Sequence, residues 1–242
     1  MRKIVLYYKE QEQSDADNEN NLVDDDDGNS TNEEDENSLD DDEGNSEGQE
    51  GKDLILIIAN DFQLDMLKKF GHDIVCIDST HGTNMYDFHL TSLVVVDEFG
   101  NGIPVAFCIS NKKNSATWTI FFSKLRDRVG VLESKVFMSD IDHSFYKAWK
   151  RVMKPVSRRL FCTWHVDKAW RKYLQKKIKD TEKRVSVYKS LRVLLQETDI
   201  DKFHVLLNGF REIYQVDAET KDFVSYFVKS YSKNFEEWAY CY

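Results

Sequence analysis

Two short stretches limit what this chain can fold into more than any others: Asp73-Ile-Val-Cys-Ile-Asp-Ser-Thr80 and Lys135-Val-Phe-Met-Ser-Asp140. Each is an apolar run that delivers an aspartate, Asp78 in the first and Asp140 in the second, 62 positions apart. Short continuous apolar runs mark strands covered on both faces. A charge on such a strand belongs at its end, because a carboxylate inside the covered part would be stranded away from water. If the two strands lie side by side their carboxylates converge, and the repulsion between them calls for a cation. Ligands that are all oxygen favour Mg²⁺ or Mn²⁺ over zinc.

The runs around these two fill in an α/β pattern. Residues 53–59 read as a strand, and Asp61 to Phe70 as an amphipathic helix carrying Phe62, Leu64, Met66, Leu67 and Phe70 and stopped at Gly71. After the Asp78 strand come strands over Phe88–Val96 and Ile103–Ser110, joined by the turn-forming stretch 97–102. Three strands with short links form an antiparallel meander. Asn114 or Ser115 can cap a helix whose Trp118, Phe121, Phe122, Leu125 and Val129 recur every three or four residues. The Asp140 strand follows, then a helix over Phe145–Met153 that ends before Pro155, then a strand over Arg158–Trp164. From His165 on the periodicity is helical: Val166–Lys179, Val185–Gln196, Asp201–Tyr214 and Ala218–Tyr231.

Charge divides the chain sharply. Residues 1–53 hold 4 Lys or Arg against 20 Asp or Glu, whereas residues 54–242 hold 29 against 23, so the part that can fold is basic although the whole is acidic. Residues 1–8 contain a short strand over Ile4–Tyr8. Residues 9–52, nearly free of hydrophobes, cannot bury enough apolar surface to offset their ordering entropy and are predicted to be an acidic disordered segment. No apolar run approaches the length of a transmembrane helix, and the opening residues lack the apolar core of a secretion signal. Four cysteines without a Cys-x-x-Cys pair point to a reduced intracellular setting, not a secreted one.

Residues 156–192 carry 12 Lys or Arg against 3 Asp or Glu, interleaved with Trp164, Trp170, Tyr173 and Tyr188. Such a run is either a solvated helix face or a phosphate-contacting surface. On the second reading Arg158, Arg159, Lys168, Arg171, Lys172, Lys176 and Lys177 are the candidates for the DNA backbone. Cys162-Thr-Trp-His165 offers only two of the four ligands that a structural zinc needs, and no second close pair completes them.

Four segments in order carry a resemblance: Ile77-Asp-Ser-Thr80; Leu93 to Asp97 followed by Gly102-Ile-Pro-Val-Ala-Phe107; Met138-Ser-Asp140; and Phe161-Cys-Thr-Trp-His-Val166. Together they resemble the Mutator-like (MULE) transposase domain, a DDE-type transposase with a ribonuclease H-like fold. The resemblance implies a mixed five-stranded sheet, with Asp78 on its first strand and Asp140 after the neighbouring fourth. It divides the chain into a catalytic core over 53–165 and an all-helical insertion over 166–242 that is truncated here. The family's third acid, a glutamate, is expected beyond Tyr242. Glu236 and Glu237 are read as surface or capping residues, not as that acid.

The chemistry so implied is two-metal phosphodiester cleavage and strand transfer with Mg²⁺ or Mn²⁺, in which Asp78 bridges the ions and Asp140 completes one shell. Cys162 and His165 would be the family's Cys-x-x-His signature, His165 touching DNA phosphate or supporting the metal shell. The implied partners are transposon-end and target DNA, in a nuclear homo-oligomer when full length, with no membrane. With the third acid missing, the chain is expected to be inactive as it stands. The alternative is a domesticated transposase-derived regulator that binds DNA or chromatin without catalysis.

Overall fold

The computed structural model describes residues 3–9, 54–80 and 82–242. The acidic segment lies outside them, except for Lys9. Seven strands form one mixed sheet: β1 (Lys3–Lys9), β2 (Ile55–Asn60), β3 (Ile74–Thr80), β4 (His89–Val96), β5 (Gly102–Ser110), β6 (Val136–Ser139) and β7 (Arg158–Phe161), in the order β1-β2-β5-β4-β3-β6-β7. The meander β3-β4-β5 is antiparallel, and β6 and β7 add in parallel beside β3. The expected five strands are thus present. The sheet is wider than five because β2 pairs with the free edge of β5 and β1 pairs with β2, both antiparallel.

Three helices cover one face: α1 (Asp61–Phe70), α2 (Ser115–Val129) and α3 (His143–Val152). Their starts are fixed by capping side chains, of which the sequence reading named Asn114. Asn60 and Gln63 form a reciprocal capping box, Asn114 accepts the Thr117 N–H, and Asp142 accepts the Ser144 N–H. The predicted stripe of α2 turns inward, with Trp118, Phe121, Phe122 and Leu125 fully buried against Val75, Ile77, Phe137, Phe145 and Trp149. Phe62, expected on the inner face of α1, is exposed instead.

Helices α4 (Thr163–Lys177), α5 (Thr181–Gln196), α6 (Ile200–Gln215) and α7 (Lys221–Tyr231) build a second apolar cluster, closed by Trp238 on a 3₁₀ turn at Phe235–Glu237. Trp170 is its hub, edge-on to Tyr231 and Trp238 at 5.5 and 5.4 Å between ring centroids. Burying an aromatic of this size contributes about 3–5 kcal/mol. Phe161 at the end of β7 belongs to this cluster and ties it to the sheet.

Several boundaries differ from the sequence reading, among them the start of α5, at Thr181 and not Val185. The strand expected over Arg158–Trp164 stops at Phe161, where Cys162 donates its N–H to Ser139 O at 2.7 Å and its own carbonyl accepts from Val166, starting α4. Trp164 and His165 therefore lie on the first turn of a helix. The last helix begins at Lys221 and not Ala218, because Asp217 folds the preceding residues into a turn by accepting the Glu219 N–H on its side chain and the Thr220 N–H on its carbonyl.

Candidate active site

The site is a consequence of register. β3 and β6 pair as Ile74 with Val136, Val75 with Phe137 and Cys76 with Met138, a constant offset of 62. Asp78 and Asp140 carry the same offset, but only Asp140 stands at a strand end, one residue past β6; Asp78 lies two residues inside β3, which stays paired with β4 as far as Thr80. Val75, Ile77 and Phe137 are buried under α1–α3. Strand alternation therefore directs Cys76, Asp78 and Met138 to the other face, where α4 begins.

His165 on α4 meets this pair: its Nε2 lies 3.5 Å from Asp78 Oδ1. The Cys162 thiol, one turn earlier on α4, raises the pKa of His165. Burial opposes that shift, and the carboxylates of Asp78 and Asp140 add to it. The same contact holds the Cys162 thiol below its usual value. Cys76, next to Asp78 on this face, goes the other way, burial pushing its thiol up to about 11.

Asp140 is the more enclosed acid, its side chain 17 % exposed. Burial raises its pKa. Lys113, whose Nζ lies 3.4 Å from Oδ2, pulls it down, Asp142 raises it and His165 lowers it. One oxygen of each aspartate, Oδ1 in both, is buried without a hydrogen-bond partner. A buried carboxylate oxygen left unpaired is costly, and Asp78 Oδ1 has only the 3.5 Å approach of His165 Nε2. Among the described residues no three His, Cys, Asp or Glu side chains come together as a ready metal site.

The structure separates the basic candidates. Arg158, Lys168, Arg171, Lys172, Lys176 and Lys177 are exposed. Arg159 is not: its side chain is 8 % exposed, its guanidinium packs over Tyr146 and Phe161, and Nη2 donates to Asp142 O at 3.3 Å. A backbone phosphate cannot reach it, and it is withdrawn from the DNA-contact set. Arg171 is bound to Asp167, whose buried carboxylate also takes Tyr188 and Arg192, so part of the positive run neutralises an internal acid.

Sequence reasoning missed two participants. Lys113 sits in the loop before α2, and nothing in its spacing linked it to Asp140. Glu237, read as a surface or capping residue, is partly buried on the 3₁₀ turn and faces Arg159 at 3.9 Å. Burial raises its pKa and Arg159 opposes that shift.

Comparison with known families bears directly on this constellation. Residues 74–169 match the MULE transposase domain. The match runs from the first residue of β3 into α4, fewer than half of the chain's residues, and contains Asp78, Asp140, Cys162 and His165. Strands β1 and β2, α1 and the bundle from α5 onward lie outside the matched MULE segment. No curated protein matches the chain.

Proposed function

We propose that this chain carries the catalytic core of a DDE-type MULE transposase with a ribonuclease H-like fold, in which Asp78 and Asp140 hold a divalent cation against DNA. The observation that carries the proposal is the equal offset of Asp78 and Asp140 along the paired strands β3 and β6, with Asp140 Oδ1 buried without a hydrogen bond and Asp78 Oδ1 3.5 Å from His165 Nε2. The arrangement agrees with the family pattern of a first acid on the first strand of a mixed sheet and a second after its neighbour. The donor set is all carboxylate oxygen and suits Mg²⁺ or Mn²⁺. Cations of this class, when bound, activate the attacking oxygen and stabilise the leaving one in phosphodiester cleavage and strand transfer.

The chain's own residues do the rest. Lys113, with Nζ 3.4 Å from Asp140 Oδ2, offsets part of the carboxylate charge, and Lys168 and Lys172 offer DNA an exposed face of α4. Among the described residues no third carboxylate joins Asp78 and Asp140, so we propose that this stretch alone holds a cation weakly and does not cut DNA. On the same reading the substrates are transposon-end and target DNA, and the setting is a nuclear oligomer of full-length chains.

Mn²⁺ titration by electron paramagnetic resonance tests the proposal. The unaltered chain should bind one ion, and Asp78→Asn or Asp140→Asn should weaken that binding by about tenfold or more. Equal affinity in all three proteins would remove the site.

A further inference from the structure

Five tryptophans are present in the chain, and four of them, Trp118, Trp149, Trp170 and Trp238, are buried in the two cores. Trp164 is the exception at 56 % exposed. Its indole keeps a large apolar face in water, and its neighbours bear on what that face can do. It lies on the first turn of α4, beside the residue that touches Asp78. Its ring stands edge-on to His165 with centroids 4.7 Å apart, and His165 Nε2 is 3.5 Å from Asp78 Oδ1. Lys168, one turn on, places Nζ 4.8 Å from the indole centroid. Lys172 continues the same helix face one turn further, exposed like Lys168.

An exposed flat ring with Lys168 over it, beside the His165 that touches Asp78, has the makings of a nucleobase platform. Stacking uses the π-face common to all bases, while lysines track the phosphates of the same strand. We propose that Trp164 stacks on an unpaired base of the DNA strand entering the Asp78/Asp140 site, and that Lys168 and Lys172 hold the backbone leading to it. The inference rests on the DNA reading above and adds a strand-positioning residue to it. It also specifies the form of DNA preferred: a duplex frayed or single-stranded at the site, because a base inside a paired stack does not expose its face. The acids repel the phosphates they must meet, so an anchor that draws on stacking and not on charge would hold the strand there without competing with the cation.

The burial of the other four tryptophans makes the test selective, since a strand stacking on Trp164 should quench that fluorophore alone. The full chain is titrated with a blunt DNA duplex and with the same duplex bearing an unpaired 3′ extension, following tryptophan fluorescence and affinity together. The extended DNA should quench the unaltered chain more than the blunt one, and quenching should vanish in Trp164→Phe. Trp164→Ala should lose about tenfold in affinity for the extended DNA, Trp164→Phe less, and both should keep the blunt-duplex affinity and its salt dependence. Extended DNA that binds without quenching, or with equal affinity to Trp164→Ala, would overturn the stacking role and leave the DNA reading standing. Failure of the unaltered chain to bind either DNA would overturn both. Because the side chain is exposed, unchanged melting temperatures should accompany both variants.

Discussion

Asp78 and Asp140 occupy equivalent places in the register but not equivalent surroundings, and the difference is measurable. Asp140 is enclosed, its carboxyl raised by burial and by Asp142 despite Lys113 and His165. A carboxyl whose folded pKa exceeds its unfolded value makes the charged form a cost to the fold. That cost is present above the folded pKa and vanishes as pH falls below the unfolded one. Asp140→Asn should therefore melt higher than the unaltered protein at neutral pH without divalent cations, and the gap should close as pH is lowered through the acid range. A thermal denaturation series from pH 7 to pH 4 checks this, and a variant less stable at neutral pH would contradict it. On the proposed reading a bound cation would reverse the balance, because the charge that burdens the fold is the charge a cation would use.

Among the elements, β7 and the 3₁₀ turn show why some of the site was legible and some was not. The two strands and their aspartates could be read because they depend on local apolar runs, and the equal spacing of the two runs matches the register. The end of β7 could not, since Phe161 and Trp164 are both aromatic and apolar periodicity does not distinguish a strand that stops at Phe161 from one that runs on. What ends it is the start of α4, where the Cys162 carbonyl accepts from the Val166 N–H just after the last rung to Ser139. Likewise nothing local marks Arg159 as buried or Glu237 as its neighbour 78 positions later. Glu237→Gln should change stability by less than about 1 kcal/mol, because relief of the buried charge that raises the Glu237 pKa offsets loss of the long contact to Arg159. The same change should leave Mn²⁺ affinity untouched if Glu237 serves packing and not the metal. Urea denaturation and the Mn²⁺ titration together separate the two roles; a large loss of Mn²⁺ affinity would make Glu237 part of the metal site.

At the scale of the molecule, the chain is a mixed sheet with three helices on one face and a separate helical bundle joined through β7 and α4. Composition foretold an acidic and a basic part but not two cores, because a periodic helical pattern says which faces are apolar and not which helices share them. The consequence is an active-site candidate at a junction. The acids come from the sheet, while His165 and Trp164 come from the first turn of the bundle. The basic surface runs along α4 away from both. Among the described residues no helix is long and apolar enough to cross a membrane. The most direct measurement of whether a cation sits between sheet and bundle, against DNA, replaces Mg²⁺ with Fe²⁺ and adds peroxide and ascorbate, so that radicals formed at the bound iron cut whatever lies beside it. The protein backbone should break near residues 78 and 140, bound DNA should break at one locus, and Asp78→Asn should suppress both. Cuts scattered over the chain, or cuts near 78 and 140 that persist unchanged in Asp78→Asn, would contradict the assignment of these two carboxylates as the metal site.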